Sequence, residues 1–182
     1  MEEYAFILDY LAQGLPAGMH SRREPVCYAV GETEFKLFEL EPKAGAIVNI
    51  GEKVYIGKDP DKRSIIAHVK RRIGFQELTN AAQSELEFVL IDIVKSDPQR
   101  FIRIFNEAQP INRKKHLLEE LPGVGNKSAV AIFQERRNGV YKDFEDLTAR
   151  VPSIKHPEKL ISKRIELELA DDNLKYRMFV AR

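Results

Sequence analysis

The chain has 182 residues, enough for one large domain or two small ones. With 43% hydrophobic and 31% charged residues it has the composition of a protein with a buried core, which excludes wholesale disorder. A net charge of +1 makes no general case for a polyanionic partner, but residues 110–182 carry 15 Lys/Arg against 11 Asp/Glu, and residues 1–109 carry 14 against 17. The second half is thus mildly basic. Cys27 is the single cysteine, so neither an internal disulfide nor a thiolate zinc cluster is possible. His20, His68, His116 and His156 are scattered, with no pair at metal-ligand spacing, and no cofactor or metal is expected. The start, "MEEYAFILDYL", is acidic where a secretory signal is basic, and its apolar run is too short to span a bilayer. The expectation is a cytoplasmic protein with no membrane partner.

In chain order, the first part reads as strands. The segments "YAFILDYL" (4–11), "VCYAVG" (26–31), "EFKLFELE" (34–41), "AIVNIG" (46–51) and "KVYIG" (53–57) are short, rich in β-branched and aromatic residues, and separated by Gly, Pro and Asp. The Gly/Pro/Arg segment "AQGLPAGMHSRREP" (12–25) reads as a mobile loop. "RSIIAHVKRRIGF" fits a strand or one helix face; strand is preferred because the preceding strands need a partner. Five or six short antiparallel strands predict a small β-barrel of OB or SH3-like type over residues 1–76.

From Thr79 the period changes. "TNAAQSELEFVLIDIVKSDP" reads as a helix capped by Thr79 or Asn80 and ended by Asp97-Pro98, and "PQRFIRIFNEA" as a second, stopped by Pro110. These are linking helices over 77–111. Helices are then expected at about 112–121, 126–138, 143–149 and 156–170, making an all-helical domain at 112–182. The fold class is α+β, strands first and helices second.

The stretch "ELPGVGNKSAVAIFQERR" (120–137) carries the chemistry. Gly123 and Gly125 permit positive φ and close backbone approach, while Pro122 stiffens the entry. A helix opening at Asn126 presents unpaired amides and the positive end of its dipole. Amides of the turn and of the first helical turn together suit a phosphate. The candidate phosphate-binding residues are Pro122, Gly123, Val124, Gly125, Asn126, Lys127 and Ser128, with Lys127 adding charge. A glycine turn that only joins helices is the plain alternative. The whole string, from "LLEEL" through "PGVG" to Lys127, resembles the helix-hairpin-helix motif. In that family the hairpin amides hold nucleic-acid backbone phosphates without reading sequence.

Such units often occur in pairs, and "YKDFEDLTARVPSIKHPEKLISKRI" resembles a second one. Ser153, Ile154 and Lys155 stand where Gly-hydrophobic-Gly is usual, so this partner is read as degenerate. Lys155, Lys159, Lys163 and Arg164 can touch phosphates through side chains, although a solvated helix face is the preferred explanation. Over nearly its whole length, through "YAFILDYLAQG", "GETEFKLFELEPKAG", "KVYIG", "RRIGFQEL", "IFNEAQPI" and "ELPGVGNK", the chain resembles an archaeal family of uncharacterised proteins described as nucleic-acid-binding. That resemblance implies an OB-like N-terminal domain and a C-terminal helix-hairpin-helix domain.

A barrel of this size can bind single strands through a basic groove with aromatic platforms. Lys58, Lys62, Arg63, Lys70, Arg71 and Arg72 form a strip with only Asp59 and Asp61 between them, and Tyr28, Phe35, Tyr55 and Phe75 are the stacking candidates. Phe35 and Tyr55 individually read better as core, and the strip also reads as a wet strand edge. The resemblance to base-excision glycosylases that carry this hairpin would make Lys127 an amine nucleophile assisted by Glu145, with Asp143 and Asp146 beside it. "KDFEDLTA" is instead a helix-opening pattern, where acids favour the dipole. No Walker loop, dinucleotide fingerprint, G-x-S-x-G or H-E-x-x-H is present. The reading is a non-catalytic, largely sequence-independent nucleic-acid-binding protein, RNA favoured over DNA, with ribosome assembly or translation as the setting that the family resemblance suggests. A DNA-binding repair accessory and a protein–protein adaptor with a purely structural hairpin are the alternatives.

Overall fold

The computed structural model describes residues 1–15 and 23–182. These form a mixed α+β protein, a curled five-stranded antiparallel half-barrel sheet with five α-helices among the described residues. The chain divides into two compact units, Met1–Val89 with Glu168–Arg182, and Leu90–Leu167. The sequence placed its boundaries at 76/77 and 111/112, whereas here the tail from Glu168 groups with the sheet. The centre of the expected mobile loop, Pro16 to Arg22 with His20, lies outside the described residues. Among the described residues no helix is long and apolar enough to cross a membrane, and no group of three or more His, Cys, Asp or Glu is placed to hold a metal ion.

In the first unit, β1 (Tyr4–Leu11), β2 (Val26–Gly31), β3 (Leu37–Pro42), β4 (Lys53–Tyr55) and β5 (Ile66–Ile73) lie in the order β4-β1-β2-β3-β5. All neighbours are antiparallel. The continuous apolar run of β2 is buried at every position, as a central strand requires. Ala5, Ile7, Cys27, Ala29, Leu40 and Ile66 form its core. Burial pushes the Cys27 thiol up to about 12, so it packs as a small apolar group rather than a nucleophile.

The sheet curls because its register slips. Leu8 is extra between Ile7 and Asp9 of β1, and the β3–β5 pairing shifts at Glu39/Leu40 and at Glu41/Pro42. Such bulges bend and twist a strand. The curl does not close into the expected barrel, because β4 and β5 are the two edges and do not pair. Arg63 stands in the gap. Its Nε donates to the carbonyl of Gly57 (2.9 Å) and its Nη2 to that of Ile56 (3.3 Å), both just beyond β4. Its Nη1 donates to the carbonyl of Ala67 in β5 (3.1 Å). One side chain thus bridges edges that ladder bonds would join in a closed barrel.

Two strand expectations need correction. "AIVNIG" is not a strand: Ile47 is 79% exposed, Gly45 before the segment and Gly51 at its end have positive φ, and the Asn49 amide donates to the Glu52 carboxylate. β3 starts at Leu37 rather than residue 34, because Phe35 holds a left-handed backbone (φ 57°) to place its ring in the core.

The helices are α1 (Asn80–Ser96), α2 (Pro98–Glu107), α3 (Asn126–Glu135), α4 (Phe144–Arg150) and α5 (Pro157–Ala170). Side chains cap three of them at the amino end. Thr79 accepts from the Ala82 amide (3.0 Å), Asp97 from Arg100 (3.3 Å) and Asp143 from Asp146 (2.7 Å). The helix expected at 112–121 shrinks to a single 3-10 turn, Leu117–Glu120. Asn112 folds the chain back by accepting from the amides of Lys114 (2.8 Å) and Lys115 (3.0 Å), and Pro110 bridges to His116. That local Asx turn competes successfully with the helix.

Candidate nucleic-acid interface

The second unit builds the site around the PGVG turn. His116 opens the 3-10 turn: its Nδ1 accepts from the Leu118 amide (3.1 Å), and Glu119 reaches back to the His116 amide (2.6 Å). Because Nδ1 accepts, the proton of the neutral imidazole sits on Nε2. That nitrogen is buried without a hydrogen-bond partner among the described residues, while the ring packs on Phe133 at 5.3 Å. Burial, then the neighbouring Arg136, holds the His116 pKa below its usual value despite Glu119.

The turn follows. The Val124 amide donates to the Leu121 carbonyl at 3.0 Å, and Gly123 has φ 90°. Proline second and positive φ third are the pattern of a type II turn. Leu121 and Val124 are buried and anchor the turn from below, while Gly123 and Gly125 face outward. Gly125 is the N-cap of α3 in extended conformation and supplies no side-chain cap. The first amides of α3, at Asn126, Lys127 and Ser128, therefore lack the side-chain acceptor that α1, α2 and α4 possess. A Cβ built on Gly125 meets nothing within 4 Å, so the space beside the first turn of α3 at this residue is open. Lys127 is exposed there, with no acidic partner among the described residues. Glu119 was not anticipated from the sequence; its carboxylate lies 3.5 Å from Asn126 Nδ2 and is already held by the His116 amide. The H-x-x-E spacing of a capping box was the available signal.

A second turn stands beside the first. The Ile154 amide donates to the Val151 carbonyl at 3.0 Å, Pro152 matches Pro122, and Ile154 is buried like Val124. Ser128 Oγ donates to Ser153 Oγ at 3.1 Å and ties the two turns together. Phe35 is the one non-glycine residue at positive φ among the described residues, so Ser153 has negative φ where Gly123 has positive. In turns closed this way the sign of φ at the third residue sets which way the central peptide faces, so the Ser153 amide is turned relative to that of Gly123. Pro157 then removes an amide from the opening of α5. Lys155 and Lys159 are exposed there, leaving side chains rather than backbone to contact an anion.

Other expected contacts are not free. Arg164 is buried, 3% exposed, and donates to the Glu120 carbonyl (3.0 Å) and carboxylate (3.3 Å). Asp143 caps α4, and Asp146 accepts from the Lys142 amide (3.0 Å) and Arg150 (3.2 Å), so both acids hold the helix start. In the first unit two residues of the basic strip are paired with acids from outside it. Lys70 faces Glu24 (3.3 Å) and Glu41 (3.9 Å), and Arg71 faces Glu39 (2.9 Å) and Glu77 (2.6 Å). Arg63 is consumed by its three carbonyls. Lys58, Lys62 and Arg72 are exposed, with Lys62 lying 4.0 Å from Asp59. Of the stacking candidates, Tyr28 and Phe35 are core and unavailable, whereas Tyr55 and Phe75 are half-buried.

This combination of half-barrel and helical unit is that of an established family. The profile described as "Protein of unknown function (DUF655)" matches residues 1–181, and the chain belongs to that family. An uncharacterised protein of Methanocaldococcus jannaschii, MJ0038, is 42% identical over 180 residues, covering 98% of this chain and 80% of that one. The crystal structure of Af1531 from Archaeoglobus fulgidus, of the same family, superposes with a TM-score of 0.90 at 39% identity. It covers 99% of this chain and 100% of its own.

Proposed function

We propose that the protein is a non-catalytic, largely sequence-independent nucleic-acid-binding protein, and that the segment around Gly123 is a helix-hairpin-helix element gripping backbone phosphate. The observation that carries this reading is the uncapped start of α3 beneath open space at Gly125, with Lys127 exposed beside it. Three other α-helices use a side chain to satisfy their first amides; this one leaves them for an outside acceptor. RNA is favoured over DNA. One glycine hairpin gives a weak grip blind to sequence, and an accompanying OB-like half-barrel suits single-stranded or structured RNA. Ribosome assembly or translation is the setting proposed.

The test is fluorescence anisotropy against matched single-stranded RNA, structured RNA, duplex DNA and single-stranded DNA across a salt series. If the hairpin and adjacent lysines neutralise about three phosphates, log K falls against log salt with a slope of about −2 to −3. Preference for duplex DNA would move the reading to a DNA accessory. Absence of binding to all four at low salt would leave the turn a structural element of a protein adaptor.

A further inference from the structure

A separate cleft lies wholly within the first unit. It measures about 500 Å3 and opens where the ends of β3 and β5 meet the end of α5 and the tail beyond it. Sites for small organic ligands commonly run from about 300 to 1,000 Å3, mostly apolar with a few convergent polar groups. Leu37, Ile73 and Val180 give this one a buried apolar lining, and the Phe75 ring is half-exposed. Its charged lining is four basic residues, Lys36, Arg72, Arg177 and Arg182, against Glu168 and Asp172.

Two of these charges build the wall. Glu168 is fully buried and accepts from the amides of Met178 (2.7 Å), Phe179 (3.0 Å) and Val180 (2.8 Å). Arg177 donates to the carbonyls of Glu168 (2.6 Å) and Val180 (3.1 Å) and lies 3.7 Å from Asp172. A carboxylate that accepts three amides and a guanidinium that spans three carbonyls, Asp171 being the third at 3.5 Å, hold the tail as a fixed surface, with little left for a ligand. Lys36 is paired with Glu34. Arg72 is different: it is exposed at the end of β5, with no acidic partner among the described residues, and shares the cleft with the Phe75 ring. A partly exposed aromatic ring and a guanidinium with no acidic partner among the described residues, lining one cleft over an apolar floor, match a planar base joined to a phosphate.

We propose that this cleft binds a nucleotide, its base against Phe75 and its phosphate at Arg72, either as a free mononucleotide or as one unit of a single strand. The proposal does not depend on the hairpin, which lies in the other unit. It is tested by titrating the full chain carrying Gly125→Asp, which removes the hairpin's contribution, with AMP and with a short single-stranded oligonucleotide by calorimetry. Saturable binding is expected, weakened about tenfold by Arg72→Ala and by Phe75→Ala, a change of about 1.4 kcal/mol each. Tighter binding of AMP than of the oligonucleotide identifies the free nucleotide as the source; the reverse identifies the strand. Arg72 is exposed, so its variant keeps the fold, and circular dichroism checks that of Phe75→Ala. Failure of both probes to saturate, or equal binding by the parent and both variants, overturns the proposal.

Discussion

The two turns of the helical unit share a plan and differ in what they offer an anion. Each has an aliphatic residue, a proline, a small residue and a second aliphatic, closed by the same amide-to-carbonyl bond at 3.0 Å. Val124 and Ile154 are both buried. What separates them is Gly123 at φ 90° and Gly125 under open space, against Ser153 at negative φ and Lys155. Two buried aliphatic anchors around a proline and a small residue are therefore enough to make the turn. Glycine is needed for the particular orientation and bareness of its amides. The proposed function places phosphate at the first turn for that reason and gives the second a supporting part.

Substitutions can break this asymmetry, and the largest effect is expected at Gly123. A side chain there is strained at φ 90°, and its Cβ lies 3.2 Å from Leu160 Cδ2. Gly123→Val should lower unfolding free energy by about 2 kcal/mol in denaturant titration and abolish binding with it. Lys127→Ala comes next. It should leave stability within about 0.5 kcal/mol and make the salt slope shallower by about 1. Lys155→Ala sharpens the contrast, because the second turn should contribute less: its slope change is expected to be smaller than that of Lys127→Ala.

The smallest effect is on pH dependence, and it belongs to the arm leading into the first turn. His116 titrates below about 6.5 in the folded protein, whereas in the unfolded chain it takes its ordinary value. As pH falls through about 6.5 the unfolded chain binds the proton first, so stability declines toward acid and is fully present above that pH. Asn at this position keeps a capping acceptor and does not titrate. His116→Asn should flatten the acid side of the stability–pH profile, measured by denaturant midpoints at each pH.

Much of this architecture is legible in the sequence where the signal is local. β1 and β2 coincide with their apolar runs, α1 and α2 start at the expected Thr79/Asn80 and Pro98, and α4 and α5 start within one residue of the expected 143 and 156. The second turn is legible too, since "VPSIK" repeats the aliphatic–Pro–small–aliphatic order of "LPGVG". Long-range partners are where the reading fails. Counting cations over 58–72 gave a basic strip, but Glu39 and Glu41 come from the paired strand and Glu24 from a distant segment. Arg164 looked like a free cation on a helix face because Glu120, its partner, lies 44 residues earlier. The expected barrel overlooked that β4 is only three residues long, too short to take β5 as a second neighbour along its length. The leucines of 117–121 suggested a helix, but Asn112 fixes a turn first.

The most direct test of the central claim separates binding from folding at Gly125. Its φ of −86° suits any residue and a Cβ there meets open space, so Gly125→Asp should fold normally. An aspartate at the N-cap accepts from the bare amides of α3 and carries negative charge into the space meant for phosphate. Anisotropy with the preferred nucleic acid and denaturant unfolding should be measured together on the parent and Gly125→Asp chains. Stability is expected to be unchanged or raised by about 0.5 kcal/mol, with affinity reduced at least about tenfold. Retained affinity in a folded Gly125→Asp protein would contradict that claim and place any nucleic-acid contact away from this turn.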